Sequence, residues 1–255
     1  MTLYLIGLGL SDEKDITLNG QAALQQCTEV YLEGYTSILQ ATKKKLEKQY
    51  KKKIIVVGRE FVENHSDKLL QKAKKENIAL LIVGDPLAAT THYDLFLEAR
   101  KQQISVKVIH NATILSAVAL TGLQLYKFGK TASIPFPRKE VSLEAPYIIL
   151  KENQSINAHT LFLLDLIPEE NRFLTIPQAI QVMLNIETKK KNKLFTEKTF
   201  CLGCARLGSK TFCIKAGTAE ELLTQDFGQP PYCLIVPSKK LHFLEEEAIE
   251  SWKVN

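Results

Sequence analysis

The sequence predicts an α/β fold made of two α/β domains, an N-terminal domain with a mainly parallel sheet and a C-terminal domain with a mixed sheet. In the first half, short apolar segments alternate with helical patterns, which is the order of a βαβ series. In the second half, the apolar segments follow one another over short links, which favours antiparallel pairing. We therefore predict an N-terminal domain over residues 1–112 and a C-terminal domain over residues 113–255.

The strands of the first half are near-continuous apolar runs, as expected for a parallel sheet that is covered on both faces. They are predicted at 3–9, 29–34, 53–58, 78–84 and 106–110. The helical patterns between them are predicted at 17–26, 38–49, 67–76 and 91–102. Thr17 is the best candidate for the cap of the first helix, because it stands directly before the first periodic residue.

The second half contains stronger local signals. Thr175 and Gln178 have the spacing of a capping box, which predicts a helix that begins there and ends near Lys191. Thr218 and Glu221 repeat that spacing before the last strand. Strands are predicted at 131–137 and 159–166, an antiparallel hairpin over 199–215, a last strand in "YCLIVP", and a C-terminal helix over about 241–252.

Composition is ordinary for a globular chain, with 255 residues, 45% hydrophobic and 24% charged. The opening apolar run, Leu3 to Leu10, is too short for a membrane span and follows no basic segment, so we expect a cytoplasmic protein. The net charge of +5 is concentrated in three lysine runs, 43–45, 51–53 and 189–191. We interpret these runs as solvated helix ends and turns, and keep a basic nucleic-acid-binding protein as an alternative.

The chain has five cysteines, an odd number without clustered spacing, which argues against a disulfide framework. Cys201 and Cys204 have the spacing of a zinc or redox pair. They lie in a predicted strand, and no second ligand pair accompanies them. We therefore expect buried, metal-free thiols that pack as small hydrophobic side chains.

A glycine turn follows the first strand, in "LYLIGLGLSDEKDITLNG" (3–20). A dinucleotide-binding turn would need a third glycine and a helix that begins at the turn, and this stretch has neither. Glu33 imitates the ribose-binding acid of such a fold, but Asp12, Glu13 and Asp15 would repel a pyrophosphate. The turn suits a phosphate-free ligand, and the acidic residues would tolerate a cationic one.

Two further loops follow predicted strands, at the edge of the sheet where α/β proteins bind ligands. The first is "VGDPLAATTHYD" (83–94), here called the GDP loop after its Gly84-Asp85-Pro86 sequence. In this loop Gly84 permits an unusual backbone angle, and Asp85 either shapes the turn or contacts a ligand. Thr90 and Thr91 are candidate caps for the helix that follows. The second is "IHNATILSAVAL" (109–120), where Thr113 is the predicted cap and His110 is interpreted as a core histidine.

Taken together, these stretches closely resemble the diphthine synthase family, within the tetrapyrrole methylase class. The resemblance is carried by "GLGLSDEKDIT", "YLEGYTS" (31–37), "GDPLAATTH", "GLQLYKFG" (122–129), "HTLFLLDL" (159–166), "ARLGS" (205–209) and "DFGQPPYCLIVP" (226–237). It runs from residue 1 to about residue 250. The conjunction of these motifs is highly specific, whereas the wider class shares only the glycine turn and the GDP loop.

The resemblance implies an S-adenosyl-L-methionine site in a cleft between two α/β domains, with S-adenosyl-L-homocysteine as the product. The family's cofactor contacts correspond here to Leu10, Asp85, Ala88, Thr113, Ile114, Leu164, Leu207 and Tyr232. Members of the family often carry His at the position of Tyr232 and a smaller residue at that of Leu207. The resemblance assigns no general base, and only polarity and position suggest Asp165 and His92.

The activity implied is trimethylation of the amino group of 2-(3-amino-3-carboxypropyl)-histidine on translation elongation factor 2, giving diphthine in diphthamide biosynthesis. The usual assembly is a homodimer, and neither nucleic acid nor membrane is an expected partner. The compact stretch over 137–160 favours this three-methyl archaeal type. The alternatives are the eukaryotic type, which adds a fourth methyl as an ester, and a tetrapyrrole or precorrin methyltransferase.

Overall fold

The computed structural model describes residues 1–90, 92–137 and 144–254 of the chain. It divides into two compact units. The first contains Met1–Ala117, Pro168–Glu170 and Gly208–Lys210, and the second contains Val118–Ile167, Asn171–Leu207 and Thr211–Asn255.

The first unit follows the predicted alternation of strands and helices. Its elements are β1 (Thr2–Gly7), α1 (Leu18–Gln25), β2 (Glu29–Glu33), α2 (Lys43–Tyr50), β3 (Ile55–Val57), α3 (Arg59–Glu63), α4 (Ser66–Ala73), β4 (Ile78–Ile82), α5 (His92–Lys101), β5 (Ser105–Ile109) and α6 (Ile114–Ala117). The strands form a parallel sheet in the order β3-β2-β4-β1-β5. All strands therefore end at the same edge, which brings together the loops after β1, β2, β4 and β5.

Burial on both faces of this sheet explains the apolar runs in the sequence. Leu3, Leu5 and Leu80 belong to one core cluster, whereas Tyr4 and Ile6 belong to the cluster on the other face. Successive side chains of one strand thus serve opposite faces, as the pleat requires. The short helix α3 was not predicted, because its apolar content is too small to give a periodic signal.

The second unit contains the mixed sheet that was predicted. Its elements are β6 (Ala132–Ile134), α7 (Glu144–Ser155), β7 (Thr160–Leu164), β8 (Leu166–Ile167), β9 (Arg172–Phe173), α8 (Ile176–Lys190), β10 (Phe200–Ala205), β11 (Cys213–Thr218), α9 (Ala219–Leu223), β12 (Tyr232–Val236) and α10 (Phe243–Glu250). The main sheet has the order β11-β10-β12-β7-β6. The β10–β11, β10–β12 and β12–β7 pairs are antiparallel and β6–β7 is parallel.

Both predicted capping boxes are confirmed. Thr175 accepts from the Gln178 N–H while the Gln178 side chain returns to Thr175, and Thr218 and Glu221 do the same. The prediction of a helix cap at Thr17 is also confirmed, because its hydroxyl accepts from the Gly20 N–H. Helix α7 was not predicted, and the bounds of α10 are narrower than expected.

The lysine runs lie at helix ends, as predicted. Lys43–Lys45 form the first turn of α2, Lys51 follows its last turn, and Lys189 and Lys190 close α8. The cysteines are free thiols, of which Cys213 is half-buried and Cys27, Cys201, Cys204 and Cys233 are buried, so they pack as apolar side chains. Among the described residues, no helix combines the length and the hydropathy that crossing a membrane requires.

Candidate active site

The glycine turn and the GDP loop are joined directly in the first unit. The Gly84 N–H donates to the Gly9 carbonyl at 2.8 Å, and the Gly9 N–H donates to the Gly84 carbonyl at 3.2 Å. Both glycines have positive φ, 75° and 80°, a conformation that side chains with a Cβ rarely adopt. The two glycines thus fix the loops after β1 and β4 against each other.

The acidic residues after the glycine turn shape the turn itself. The Asp15 carboxylate accepts from the Ser11 N–H at 2.7 Å and from the Leu10 N–H at 3.2 Å. A Cβ on Gly9 would lie 2.7 Å from the Asp15 Cβ, so this closure needs glycine there. No helix begins at the turn, because α1 begins only at Leu18. A phosphate cradle of the dinucleotide type is therefore absent from this described stretch.

Asp85 links the GDP loop to the loop after β5. Its carboxylate accepts from the Leu87 N–H at 3.0 Å and the Asn111 N–H at 3.1 Å, and lies 2.8 Å from the His110 Nδ1. Burial would raise the pKa of Asp85, but these hydrogen bonds and the His110 ring outweigh burial and lower it. The side chain is only 10% exposed. Asp85 therefore shapes its turn and holds a negative charge at the edge of the sheet.

The interpretation of His110 as a core histidine is wrong. Its side chain is 69% exposed, although its Nδ1 meets Asp85. The reason is topological, because β5 is the edge strand of the sheet and His110 follows its last residue.

Asn111 is a residue of the candidate site that was not predicted from the sequence. Its Nδ2 donates to the Gly7 and Asp15 carbonyls, both at 2.9 Å, and its backbone N–H donates to Asp85. It thereby ties the loop after β5 to both other loops. The only signal in the sequence was its position directly after a strand, because the partners lie far away along the chain.

Gly84 lies at ordinary packing distance from Leu10 and Ala112. A Cβ built there would meet nothing closer than the Ala112 carbonyl at 3.8 Å and the Leu10 side chain at 3.9 Å. Because glycine has no side chain, a ligand can approach the main chain closely at this position. S-adenosylmethionine would suit this edge of the sheet, because the ligand carries no phosphate and its positively charged sulfur would be stabilised near carboxylates. Leu10, Asp85 and Ala88 would hold it from the first two loops.

The last two predicted contacts of the first unit lie at the start of α6. Thr113 precedes the helix, and its carbonyl accepts from the Ser116 and Ala117 N–H groups at 3.0 and 2.9 Å. Ile114 is the first helical residue. The structure thus brings the five predicted residues of this unit to the carboxyl edge of one sheet. That they contact the cofactor stays a prediction.

The predicted contacts of the second unit also share one edge of their sheet. Leu164 is the last residue of β7, Leu207 follows the end of β10, and Tyr232 is the first residue of β12. Because β12 runs antiparallel to both neighbours, these three positions are adjacent. Leu164 and Leu207 are 6% and 5% exposed, and the Tyr232 hydroxyl donates to the Gly228 carbonyl.

Both polar candidates for the general base have structural surroundings in the fold, and a role for either as a base stays a prediction. His92 is 1% exposed. The two carboxylate oxygens of Asp165 accept from the Phe136 and Leu166 N–H groups, both at 3.0 Å, which gives Asp165 a structural role in the second unit. Glu33 does not act as a ribose-binding acid, since it is 1% exposed and caps its own turn.

The parallel first sheet, the mixed second sheet and the glycine turn without a phosphate cradle define a known class. The chain matches the family of tetrapyrrole (corrin/porphyrin) methylases over residues 2–222 and belongs to that family. It is accordingly an S-adenosylmethionine-dependent methyltransferase, as the sequence predicted.

Individual relatives indicate which methyltransferases of this family the chain is closely similar to in sequence and structure. The chain is 46% identical to the diphthine methyl ester synthase of Candida glabrata, over 96% of this chain and 88% of that protein. It is 43% identical to the diphthine synthase of Methanococcus vannielii, over 97% of both chains. A crystal structure from Entamoeba histolytica, assigned as a diphthine synthase, has a TM-score of 0.91 and 41% identity, over 100% of this chain and 99% of that one.

Proposed function

We propose that this chain methylates the amino group of 2-(3-amino-3-carboxypropyl)-histidine on translation elongation factor 2, with three transfers that give diphthine in diphthamide biosynthesis. The observation that supports this function is similarity over nearly the whole chain to diphthine synthases, with 43% identity to the Methanococcus vannielii enzyme. The family-specific motifs extend into the second unit, beyond the glycine turn and GDP loop that the wider class shares.

Methyl transfer depends on the relative placement of donor and acceptor more than on reactive side chains of the enzyme. S-adenosylmethionine supplies an electrophilic methyl group on a positively charged sulfur. The acceptor nitrogen must be neutral and in line with that methyl group, so the chain contributes orientation and exclusion of water. Asp85 and Asp15 hold the loops that would bind the donor. After the third transfer the nitrogen has no lone pair, which ends methylation at that atom.

A second candidate function differs by one methyl group. Similarity to diphthine methyl ester synthases is as strong, at 41% to 46% identity, and these relatives are named for a methyl ester. In this alternative, the carboxylate of the same side chain would receive a fourth methyl group. We favour three transfers because the sequence over 137–160 lacks the longer insertions that the resemblance associates with the ester-forming type, although residues 138–143 of this stretch lie outside the described residues.

The test uses elongation factor 2 that carries the aminocarboxypropyl histidine. This substrate is incubated with the enzyme and S-adenosylmethionine, and its intact mass is then measured by mass spectrometry. We expect a gain of three methyl groups. A gain of four would assign the ester-forming type. No gain on the elongation factor, with methylation of a precorrin instead, would refute the proposed acceptor within the same class.

Two further features follow from the same family. We propose a homodimer, which light scattering at micromolar concentrations would test, a monomer mass being the contrary result. We also propose that the enzyme acts in the cytoplasm, where its protein substrate works. Binding to RNA, the alternative of another class, would show a steep dependence on salt concentration because counterions are released.

A further inference from the structure

Two buried polar side chains lie behind the loops of the first unit. Glu33 ends β2, and His92 begins α5 after the GDP loop. Both side chains are 0% exposed, and the His92 Nε2 lies 4.0 Å from a Glu33 carboxylate oxygen. Because β2 and β4 are neighbours, this pair connects the loops that follow two adjacent strands.

Glu33 organises the loop after β2. Its Oε1 accepts from the Tyr35 N–H at 2.6 Å and the Thr36 N–H at 2.5 Å, and its Oε2 accepts from the Thr36 hydroxyl. A buried carboxylate that accepts this many local donors fixes the turn around it. The Gln40 N–H of the same loop donates to the Ser11 carbonyl at 2.8 Å. This loop is therefore tied to the glycine turn as well.

His92 holds the other end of the GDP loop. Its Nδ1 lies 2.6 Å from the Thr90 hydroxyl oxygen, which also accepts from the His92 backbone N–H at 3.4 Å. Its Nε2 makes no hydrogen bond of normal geometry within the described part of the chain. The Tyr35 ring packs edge-on against the imidazole, with centroids 6.3 Å apart. The ring is therefore held by its contact with Thr90, by a polar interaction with the Pro86 carbonyl and by packing.

The backbone between these anchors is strained. Ala89 has φ 56°, in the left-handed region that residues with a Cβ rarely occupy. It is the neighbour of Ala88, a predicted cofactor contact, and of Thr90, the partner of His92. Such strain persists only where the surroundings hold it, and it clusters at ligand-binding loops. At the other end of the loop, Gly84 and Asp85 are held by the contacts described above.

We propose that His92 is a positioning residue for the methyl-donor site, which acts through Thr90 to hold Ala89 in its strained conformation and Ala88 in place for the cofactor, with Glu33 fixing the loop behind the imidazole. This inference rests on the proposed function only for the location of the cofactor in these loops. It does not depend on which acceptor is methylated.

The test measures S-adenosylhomocysteine affinity by calorimetry, and kcat and KM for S-adenosylmethionine, in two pairs of variants. His92→Phe keeps a ring but removes both nitrogens, whereas His92→Asn can retain the bond to Thr90. Thr90→Val removes the hydroxyl at a half-buried site, whereas Thr90→Ser retains it. We expect roughly 10-fold weaker binding and a higher KM in the first member of each pair, since a small misplacement of a binding group is costly. In the conservative member, affinity and KM should stay within about threefold of the wild-type values, because the polar contact between positions 90 and 92 is kept and the loop is not displaced.

A matched control separates this role from general stability. His159→Phe replaces an equally buried histidine of the second unit, which lies 2.9 Å from the Glu245 carboxylate. It should lower the unfolding temperature without changing affinity for S-adenosylhomocysteine. Should His92→Phe fail to fold, the Thr90 pair still decides the question.

The outcomes are distinct for the two proposals. Unchanged affinity and KM in folded His92→Phe or Thr90→Val, or equal loss in both members of a pair, would overturn the positioning role. Wild-type protein that binds S-adenosylhomocysteine but does not methylate elongation factor 2 would refute the proposed acceptor and leave the positioning role intact. Wild-type protein that does not bind S-adenosylhomocysteine would overturn both.

Discussion

Gly9 and Gly84 exchange two backbone hydrogen bonds, and each adopts a positive φ to do so. This antiparallel bridge joins the ends of two parallel strands, β1 and β4. A Cβ on Gly84 would lie at ordinary contact distance from Leu10 and Ala112, so the bridge also sits beside both of the other loops. The bridge is therefore the structural centre of the predicted methyl-donor site.

Gly84→Ala should weaken binding of S-adenosylhomocysteine strongly while the protein stays folded. The added methyl group would stand against Leu10 and the Ala112 carbonyl, at 3.9 and 3.8 Å, and would obstruct a ligand that contacts the main chain there. The left-handed backbone costs roughly 1–2 kcal/mol of stability. We expect affinity to fall at least about 10-fold, or about 1.4 kcal/mol. Calorimetry measures affinity, and thermal unfolding checks the fold. Wild-type affinity in a folded variant would place the cofactor elsewhere.

Asp85→Asn should loosen the GDP loop and weaken the cofactor site. The amide loses the charge-assisted hydrogen bonds from Leu87 and Asn111, at a cost of roughly 1–3 kcal/mol. The folded-state pKa of Asp85 is lowered. Its contribution to stability is therefore complete above the unfolded pKa of about 3.9 and is lost as pH falls through the folded value. Chemical denaturation between pH 3 and 7 should show a smaller loss at acid pH in the variant than in the wild type.

Glu245→Gln should destabilise the second unit. The buried carboxylate accepts from the Gln124 and His242 N–H groups, at 2.9 and 2.8 Å, and pairs with Lys127 and His159. Burial would raise the pKa of Glu245, but these donors lower it to about 2. Removing the charge leaves Lys127 without its partner carboxylate, at a cost of roughly 3–5 kcal/mol.

The control for this variant is Glu152→Gln. Glu152 pairs with Lys130 at 2.6 Å, but both side chains are about half exposed or more, so the loss should stay below about 1 kcal/mol. The stabilisation from Glu245 should persist above about pH 4.3 and disappear toward about pH 2. Urea unfolding that gives equal losses for the two variants would contradict the buried network.

Thiol reactivity should separate Cys213 from the other cysteines. Burial raises the pKa of Cys27 to about 11, and raises that of Cys201 as well. At pH 8 a thiol reagent should modify Cys213 first in the native protein, and all five cysteines only after unfolding. Elemental analysis should find no stoichiometric zinc. Zinc bound at one equivalent per chain would refute the interpretation of Cys201 and Cys204 as packing residues.

The sequence by itself determined the features that depend on local physics. The alternation of strands and helices follows from hydrophobic periodicity, which is read within a few residues. The two capping boxes depend on donors and acceptors only three residues apart, so the sequence at Thr175 and at Thr218 was sufficient to predict them. The hairpin of β10 and β11 was predictable because short links leave antiparallel neighbours little choice. Helix α7 was not predicted, because its hydrophobic pattern was not distinct enough to indicate a helix.

Only the tertiary structure decided whether individual polar side chains are buried or exposed and which groups they contact. His110 was expected in the core and is exposed because β5 lies at the sheet edge, a property of strand order that no local pattern encodes. His92 is buried because its ring lies behind the GDP loop, near Glu33 from another strand. The Asn111 side chain, in the loop after β5, donates a hydrogen bond to the Gly7 carbonyl at the end of β1. Burial and hydrogen bonding of these groups depend on partners that are distant along the chain, so they are set only when the whole sheet has formed.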